Sequence, residues 1–179
     1  MVKRLATISI GSAGGTAAAG SKTYKITLPS SWMTKLGITE NHRRMELSFD
    51  GENIVLSPFL TMDEFVIKKT NLGHEVLLLR YFDGNTLCTT ICADFADRTL
   101  RASNHTDDLA KTAFGNAELP DWNDFLTFLE ERCVPRGRMG IREYLEAIGV
   151  DEYDPLAIVR KTGGRMAEDE QWLEIEVLK

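Results

Sequence analysis

One stretch of the chain, residues 21–58, carries a dense series of signals for short strands, a short helix and a hairpin. Its first part, Thr23–Leu28, alternates side chains and is rich in Thr, Tyr and Ile, which is typical of a half-buried strand. Pro29 has no N–H to donate, so the strand should end there. The two serines that follow can cap a helix predicted at Trp32–Leu36, and Gly37 is expected to end it in a left-handed conformation.

The second part of this stretch predicts a β-hairpin. Met45–Phe49 places apolar side chains on one face, and Asn53–Leu56 is expected to pair back against it. Between them stand Asp50 and Gly51, a strong signal for a tight hairpin turn. An earlier strand is predicted at Lys3–Ile10, followed by a Gly- and Ala-rich loop that lacks the Gly-Lys-Ser/Thr ending of a phosphate-binding loop.

This order of strand, Leu-Pro, short helix, Leu-Gly-Ile and closing hairpin resembles the AbrB/SpoVT family of swapped-hairpin DNA-binding domains, over about a third of the chain. The chain departs from the family after Ile38, where it has Glu40–Arg44 instead of a Gly-Asp pair. The resemblance implies a dimer in which two copies interlace their hairpins, and basic residues that line one surface across a DNA major groove. The residues that carry it are Ile26, Leu28, Pro29, Trp32, Leu36, Gly37, Ile38, Met45, Glu46, Leu47, Asp50, Gly51, Ile54, Val55 and Leu56.

Charge divides the chain unevenly. Residues 1–60 hold 7 Lys and Arg against 4 Asp and Glu, a net charge of +3, whereas residues 61–179 hold 14 against 23, a net charge of −9. The overall charge of −6 argues against a protein that coats nucleic acid without selection, but a local basic face is compatible with it. We therefore predict two domains, a basic AbrB-like domain at 1–60 that binds DNA and dimerises, and an acidic α+β domain at 61–179 that binds a partner.

The basic residues of the first domain are the candidate contacts to DNA, because Lys and Arg neutralise phosphates and release counterions. The alternative is that they only keep a small dimeric domain soluble. They are Lys3, Arg4, Lys22, Lys25, Lys35, Arg43 and Arg44.

In the second domain, after a linker at 59–64, short apolar runs predict a small antiparallel meander, and later periodicity predicts helices. The Asp83-Gly84 pair should turn the chain between two of the strands. The predicted strands are Phe65–Lys69, Glu75–Phe82, Leu87–Cys92 and Thr99–Ala102; the helices are one that begins at Asp107 and ends at Gly115, one that begins at Trp122, then Arg142–Ile148 and Pro155–Lys161, with a short turn from Ala167.

The segments 131–138 and 144–175 resemble a C-terminal module of uncharacterised proteins from Clostridia and their mobile elements, a resemblance that implies no chemistry. Around Pro135 lie Arg132, Arg136, Arg138 and Arg142, which could hold a phosphate or an acidic partner, or could bind nearby carboxylates and join helix ends. The three acidic residues at 168–170 could form a metal-binding or acid–base cluster, or they could supply negative charge that the dipole at a helix N-terminus favours. The candidate partner contacts are Arg136, Arg138, Glu130, Glu131, Glu168 and Asp169.

No catalytic or metal-binding pattern stands out. Cys88, Cys92 and Cys133 form no CxxC pair and are predicted to be buried thiols, and the three histidines are scattered. No apolar run approaches the roughly 20 residues of a membrane span. We expect a cytoplasmic protein without cofactor or metal that is not an enzyme.

The function that these features favour is sequence-specific DNA binding by a homodimer that regulates transcription. Family members that serve as antitoxins regulate their own operons, and the resemblance implies the same here. The alternative is a mobile-element inhibitor, of the antitoxin or anti-CRISPR type, whose acidic domain binds a nucleic-acid-associated effector such as a CRISPR nuclease.

Overall fold

The computed structural model describes residues 3–14, 18 and 20–179. The chain is mixed α+β with antiparallel sheets, and it divides into two compact units, Met1–Phe59 (unit 1) and Leu60–Lys179 (unit 2). Residues 15–17 and 19 lie outside the described part, so the predicted Gly- and Ala-rich loop is described only at its ends. No helix of the described residues is long and apolar enough to cross a membrane.

The described residues of unit 1 form two separate two-stranded antiparallel sheets. Strand β1 (Ser9–Ser12) pairs with β2 (Lys22–Lys25), and β3 (Met45–Phe49) pairs with β4 (Ile54–Pro58). The predicted strand at 3–10 is therefore wrong over most of its length, because its first residues pair with no strand of the described residues and only its last two enter the ladder. The strand predicted at Thr23–Leu28 corresponds to β2, which begins one residue earlier than predicted, at Lys22. It ends at Lys25, because residues 26–28 do not take part in the pairing with β1.

The short helix α1 spans Ser30–Lys35. Neither serine caps it: Pro29 is the N-cap, with no side-chain cap hydrogen bond, and its carbonyl accepts from the N–H groups of Trp32 and Met33. The stop at Gly37 is confirmed, because this residue has φ +72°.

The predicted hairpin turn between β3 and β4 is also confirmed. The Asp50 carboxylate accepts from the N–H groups of Glu52 and Asn53 at 2.9 and 2.7 Å, and Gly51 has φ +102°.

Unit 2 is built on one four-stranded antiparallel sheet, in the order β7-β6-β5-β8. Its strands are β5 (Val76–Asp83), β6 (Thr86–Asp94), β7 (Thr99–Asn104) and β8 (Gln171–Leu178). The first three confirm the predicted meander, whereas β8 comes from the far end of the chain and pairs with β5 along its whole length.

The segment before β5 is a helix, α2 (Met62–Asn71), where a linker and a strand were predicted. Thr61 and Glu64 form a reciprocal capping box that starts it, and Phe65 and Lys69, four residues apart, are its buried positions. This cap outweighs the short apolar run at 65–67, which by itself fits either structure.

Three further helices pack on the other face of the sheet: α3 (Trp122–Glu131), α4 (Ile141–Ile148) and α5 (Pro155–Thr162). Asp121 caps α3 and Asp154 caps α5, and α4 ends where Gly149 adopts the left-handed conformation. The bounds of these three helices are close to the predicted ones. Phe125, Leu129 and Ile158 are fully buried in this core, whereas Leu126 of α3 is exposed.

Two predicted helical segments are wrong. After Asp108 the chain forms only a 3₁₀ turn at Leu109–Lys111, because Thr112 is extended and the N–H of Ala113 donates to Thr89 on the sheet. No helix begins near Ala167; that segment is held by long-range hydrogen bonds that are described below.

Candidate functional site

Unit 1 has no buried residue among those described, although it is rich in apolar side chains. In the β3–β4 hairpin, Leu47 lies opposite Leu56 and Phe49 opposite Ile54, so all four share one face. Leu47 and Phe49 keep 67% and 70% of their surface exposed. This apolar face of the hairpin is defined here by Leu47, Phe49, Ile54 and Leu56.

The β1–β2 hairpin separates apolar from polar side chains in the same way. Ile10 pairs with Tyr24 on one face, and Ser9 pairs with Lys25 on the other. Lys22 and Lys25 are three residues apart, so they project from opposite faces of β2. Lys25 lies on the polar face, whereas Lys22 shares a face with Tyr24.

Three other cationic candidates of unit 1 lie at or near the ends of its elements, and all three are exposed. Lys35 is in the last turn of α1, and Arg43 and Arg44 precede β3. The guanidinium of Arg44 stands 4.4 Å from the centre of the Phe59 ring, so this side chain is held within the unit.

Lys3 and Arg4 line a cavity of about 500 Å³ together with Leu5 and Trp32. An aromatic ring beside two cations is a combination that binds phosphates and bases. Because Arg4 and Trp32 are far apart in the sequence, the sequence alone does not indicate that they line the same cavity.

In unit 2, three of the predicted partner contacts come together. Glu130, Glu131 and Arg136 line a cavity of about 350 Å³ beside Tyr153 and Met166. The Arg136 guanidinium lies 4.8 Å from the centre of the Tyr153 ring, and the Tyr153 hydroxyl donates to the Val134 carbonyl. The cavity thus combines a fixed aromatic ring with charge of both signs.

The other candidates do not join that cavity. Arg138 and Glu168 are exposed elsewhere, and Asp169 forms an internal ion pair with Arg132. The Arg132 side chain is buried, and its hydrogen bonds hold the pKa of the Asp169 carboxyl below its ordinary value against the opposing effect of burial. Arg132 therefore binds a nearby carboxylate, which was one of the two roles predicted for the arginine cluster, and does not hold a phosphate or an acidic partner.

A second charged cluster, which the sequence analysis missed, joins α2 to the end of β6. Lys69 donates to Asp94 and Asp97 at 2.9 and 2.7 Å, and His74 Nδ1 lies 2.9 Å from Asp94. Burial works against the charge of Asp94, but the hydrogen bonds with His74 and Lys69 hold the pKa of its carboxyl below the ordinary value.

The His74 nitrogen and the two carboxylates lie within 4.8 Å of one another, a spacing that could hold a metal ion. The Lys69 ammonium already bonds to both carboxylates, so a metal would have to displace it. The cluster therefore acts first as an ionic connection between α2 and the sheet.

The three cysteines are buried, as predicted. Burial raises the pKa of the Cys133 thiol to about 12 and that of Cys92 to about 11, which keeps both thiols protonated and unreactive at neutral pH.

No protein-family model matches the chain, and no curated protein and no solved structure matches it.

Proposed function

We propose that unit 1 is an AbrB-like domain whose hairpins interlace with those of a second copy, and that the resulting homodimer binds double-stranded DNA in a sequence-specific manner. In this proposal the protein regulates transcription, including that of its own operon, as an antitoxin-like repressor does. Unit 2 then receives a signal from a protein partner.

The observation that carries the proposal is the exposure of the apolar side chains of unit 1. Two-stranded hairpins are marginal by themselves, and a stable domain of this size must remove most of its apolar surface from water. Leu47, Phe49 and Ile54 are all more than 60% exposed in the single chain. A second copy offers the same apolar face, so a twofold arrangement can cover both faces at once.

The distribution of charge supports DNA as the ligand of such a dimer. Residues 1–45 hold 7 Lys and Arg against 1 Asp or Glu. Lys25 lies on the polar face of its hairpin, which stays accessible if the apolar face is covered. A dimer doubles this basic surface, and its phosphate contacts then orient it on a duplex.

The experiment that tests this function is a selection of bound fragments from the genome of the native host with the full chain, followed by affinity measurements at fixed salt. We expect a preferred site, including one upstream of the protein's own operon, bound at least ~10³-fold more tightly than random DNA. Equal affinity for all fragments would contradict a sequence-specific regulator.

A second candidate function, inhibition of a protein effector, is favoured by the cavity lined by Glu130, Glu131 and Arg136 in a unit of net charge −9. An acidic surface of this kind can bind a basic nucleic-acid channel of an effector. Capture of partners from the native host, with and without nuclease, separates this function from DNA binding. The variant E130K/E131K should abolish effector capture and leave promoter binding intact; Asp169 is excluded from such a variant because it holds Arg132.

A further inference from the structure

Strand β8 is an edge of the sheet in unit 2, and one end of that edge is already covered. The N–H of Leu173 donates to the carbonyl of Gly163 at 2.7 Å, so it faces away from β5. Successive residues of a strand direct their backbone N–H and C=O groups to alternate sides, so residues two positions apart share a side. Ile175 and Val177 therefore also direct these groups away from β5. In the described part of the chain, neither Ile175 nor Val177 donates its N–H to another element. The stretch Glu174–Leu178 is therefore an open edge.

The side chains of this open edge differ between its two faces. Glu174 and Glu176 lie on one face, with side chains 54% and 53% exposed, and each accepts a hydrogen bond from Arg80 at 3.1 Å. On the other face Ile175 packs against the core, whereas Val177 keeps 41% of its surface exposed. An added strand would meet two carboxylates on one face and an apolar margin on the other.

We propose that the open edge Glu174–Leu178 binds an extended, basic segment of a protein partner, which adds a fifth strand to the sheet. The outward backbone groups of Ile175 and Val177 supply hydrogen bonds, as in other cases of strand addition. Glu174 and Glu176 select Lys or Arg at alternate positions of the segment, because opposite charges on facing strands stabilise a pair. The exposed side of Val177 favours an apolar residue between them.

A second copy of the chain does not fit this edge. The antiparallel register that overlaps all of Glu174–Leu178 places Glu176 of one copy opposite Glu176 of the other, and like charges directly opposite destabilise a pair of strands. The edge is thus distinct from the dimer surface proposed for unit 1. The inference does not rest on DNA binding, because no residue of unit 1 takes part.

The test measures binding of a fluorescein-labelled peptide with four lysines and four valines in alternation to the full chain by fluorescence anisotropy. A peptide of the same composition with the lysines and valines in two blocks is the control for charge alone. We expect the alternating peptide to bind at least tenfold more tightly, with affinity that falls as salt is added. Hydrogen exchange of the Ile175 and Val177 amides should slow when it binds.

Two variants separate the backbone contribution from the charge contribution. V177P removes an outward N–H while leaving the ladder with β5 intact, so it should abolish binding. E174Q/E176Q should weaken binding about two- to thirtyfold, the range for two cross-strand ion pairs. The matched control E143Q/E146Q removes the same charge from two exposed positions of α4 in unit 2 and should leave affinity unchanged.

Equal binding of the two peptides, or an equal loss of affinity in E174Q/E176Q and E143Q/E146Q, would overturn the proposal. If V177P fails to fold, as far-UV circular dichroism would reveal, hydrogen exchange in the unaltered protein decides. Unchanged exchange at Ile175 and Val177 in the presence of saturating peptide would then rule out strand addition.

Discussion

The guanidinium of Arg132 and the carboxylate of Asp169 share two parallel hydrogen bonds of 2.7 and 2.9 Å. Three more bonds from the same guanidinium reach the Gly164 carbonyl and the backbone and side-chain oxygens of Gln171. All five N–H donors of Arg132 are thus used, and they connect the end of α3 to the segment that leads into β8. The Tyr81 hydroxyl also donates to the Gln171 side chain, which adds the sheet to the same network.

We expect Arg132→Lys to lower the free energy of unfolding by about 2–4 kcal/mol. The ammonium cannot reproduce the five-donor fork, and the loss lies below that of fully buried ion pairs because the Asp169 side chain remains 31% exposed. Chemical unfolding of the full chain measures the change. Arg142→Lys, at an exposed position of α4, is the control and should change stability by less than about 0.5 kcal/mol.

The ion pair also predicts how stability depends on pH. Hydrogen bonds from Arg132 lower the pKa of Asp169 in the folded state, so its contribution is present above the ordinary value of 3.8 and is lost as pH falls through the folded value. The difference in unfolding free energy between the unaltered protein and Asp169→Asn should therefore shrink as pH decreases from 6 to 2.5. Glu168→Gln removes an exposed neighbouring carboxylate as the control; the same pH dependence in both variants would contradict the assignment.

Substitution by alanine at two adjacent glycines should lower the stability of the protein to different extents. Gly163 and Gly164 both have positive φ, +67° and +62°, so either substitution costs about 1–2 kcal/mol of backbone strain. At Gly164 a Cβ would also stand 2.8 Å from Leu173 Cδ1 and 3.3 Å from Arg132 Cβ, whereas at Gly163 the nearest atom is 3.5 Å away. Gly164→Ala should be the more destabilising by about 1–3 kcal/mol in thermal or chemical unfolding. Equal losses would mean that the neighbours yield without cost.

If the proposed interlaced dimer forms, the full chain should sediment as a dimer at micromolar concentration. The variant L47K/F49K places charges on the apolar face of the β3–β4 hairpin and should convert it to a monomer, because a buried unpaired charge is strongly unfavourable. Ser48→Lys puts a charge on the opposite face of the same strand and should remain a dimer. An unaltered protein that sediments as a monomer would eliminate the proposed arrangement.

The proposed binding of DNA should depend differently on the two lysines of β2. Each phosphate contact contributes about −0.9 to the slope of log affinity against log salt. Lys25→Ala should therefore flatten the slope by roughly 0.9, and Lys22→Ala by less, because Lys22 shares a face with Tyr24. Lys161→Ala in unit 2 is the control. Equal slopes in all three variants would place the phosphates elsewhere.

Local signals in the sequence determined many of the short elements of this protein. The Asp50-Gly51 turn, the Asp83-Gly84 turn and the left-handed stop at Gly37 all depend on interactions within a few residues. The same is true of the aspartates that cap α3 and α5. Such contacts need only residues that are close in the sequence, so they can be predicted without knowledge of the fold. The separation of a basic from an acidic part also needs only the order of residues.

Tertiary structure decided what the short apolar runs became and which charged residues meet. The Thr61–Glu64 cap begins the helix that contains residues 65–69, but only the sheet supplies the partners of Phe65 and Lys69. Likewise, β8 forms only because β5, about ninety residues earlier, offers it an edge. Arg132 pairs with a carboxylate 37 residues later, and Lys69 pairs with Asp94 at the end of β6. A guanidinium or an ammonium looks the same in a sequence whether it faces water or a buried carboxylate. Only the path of the folded backbone brings the partners within hydrogen-bond distance.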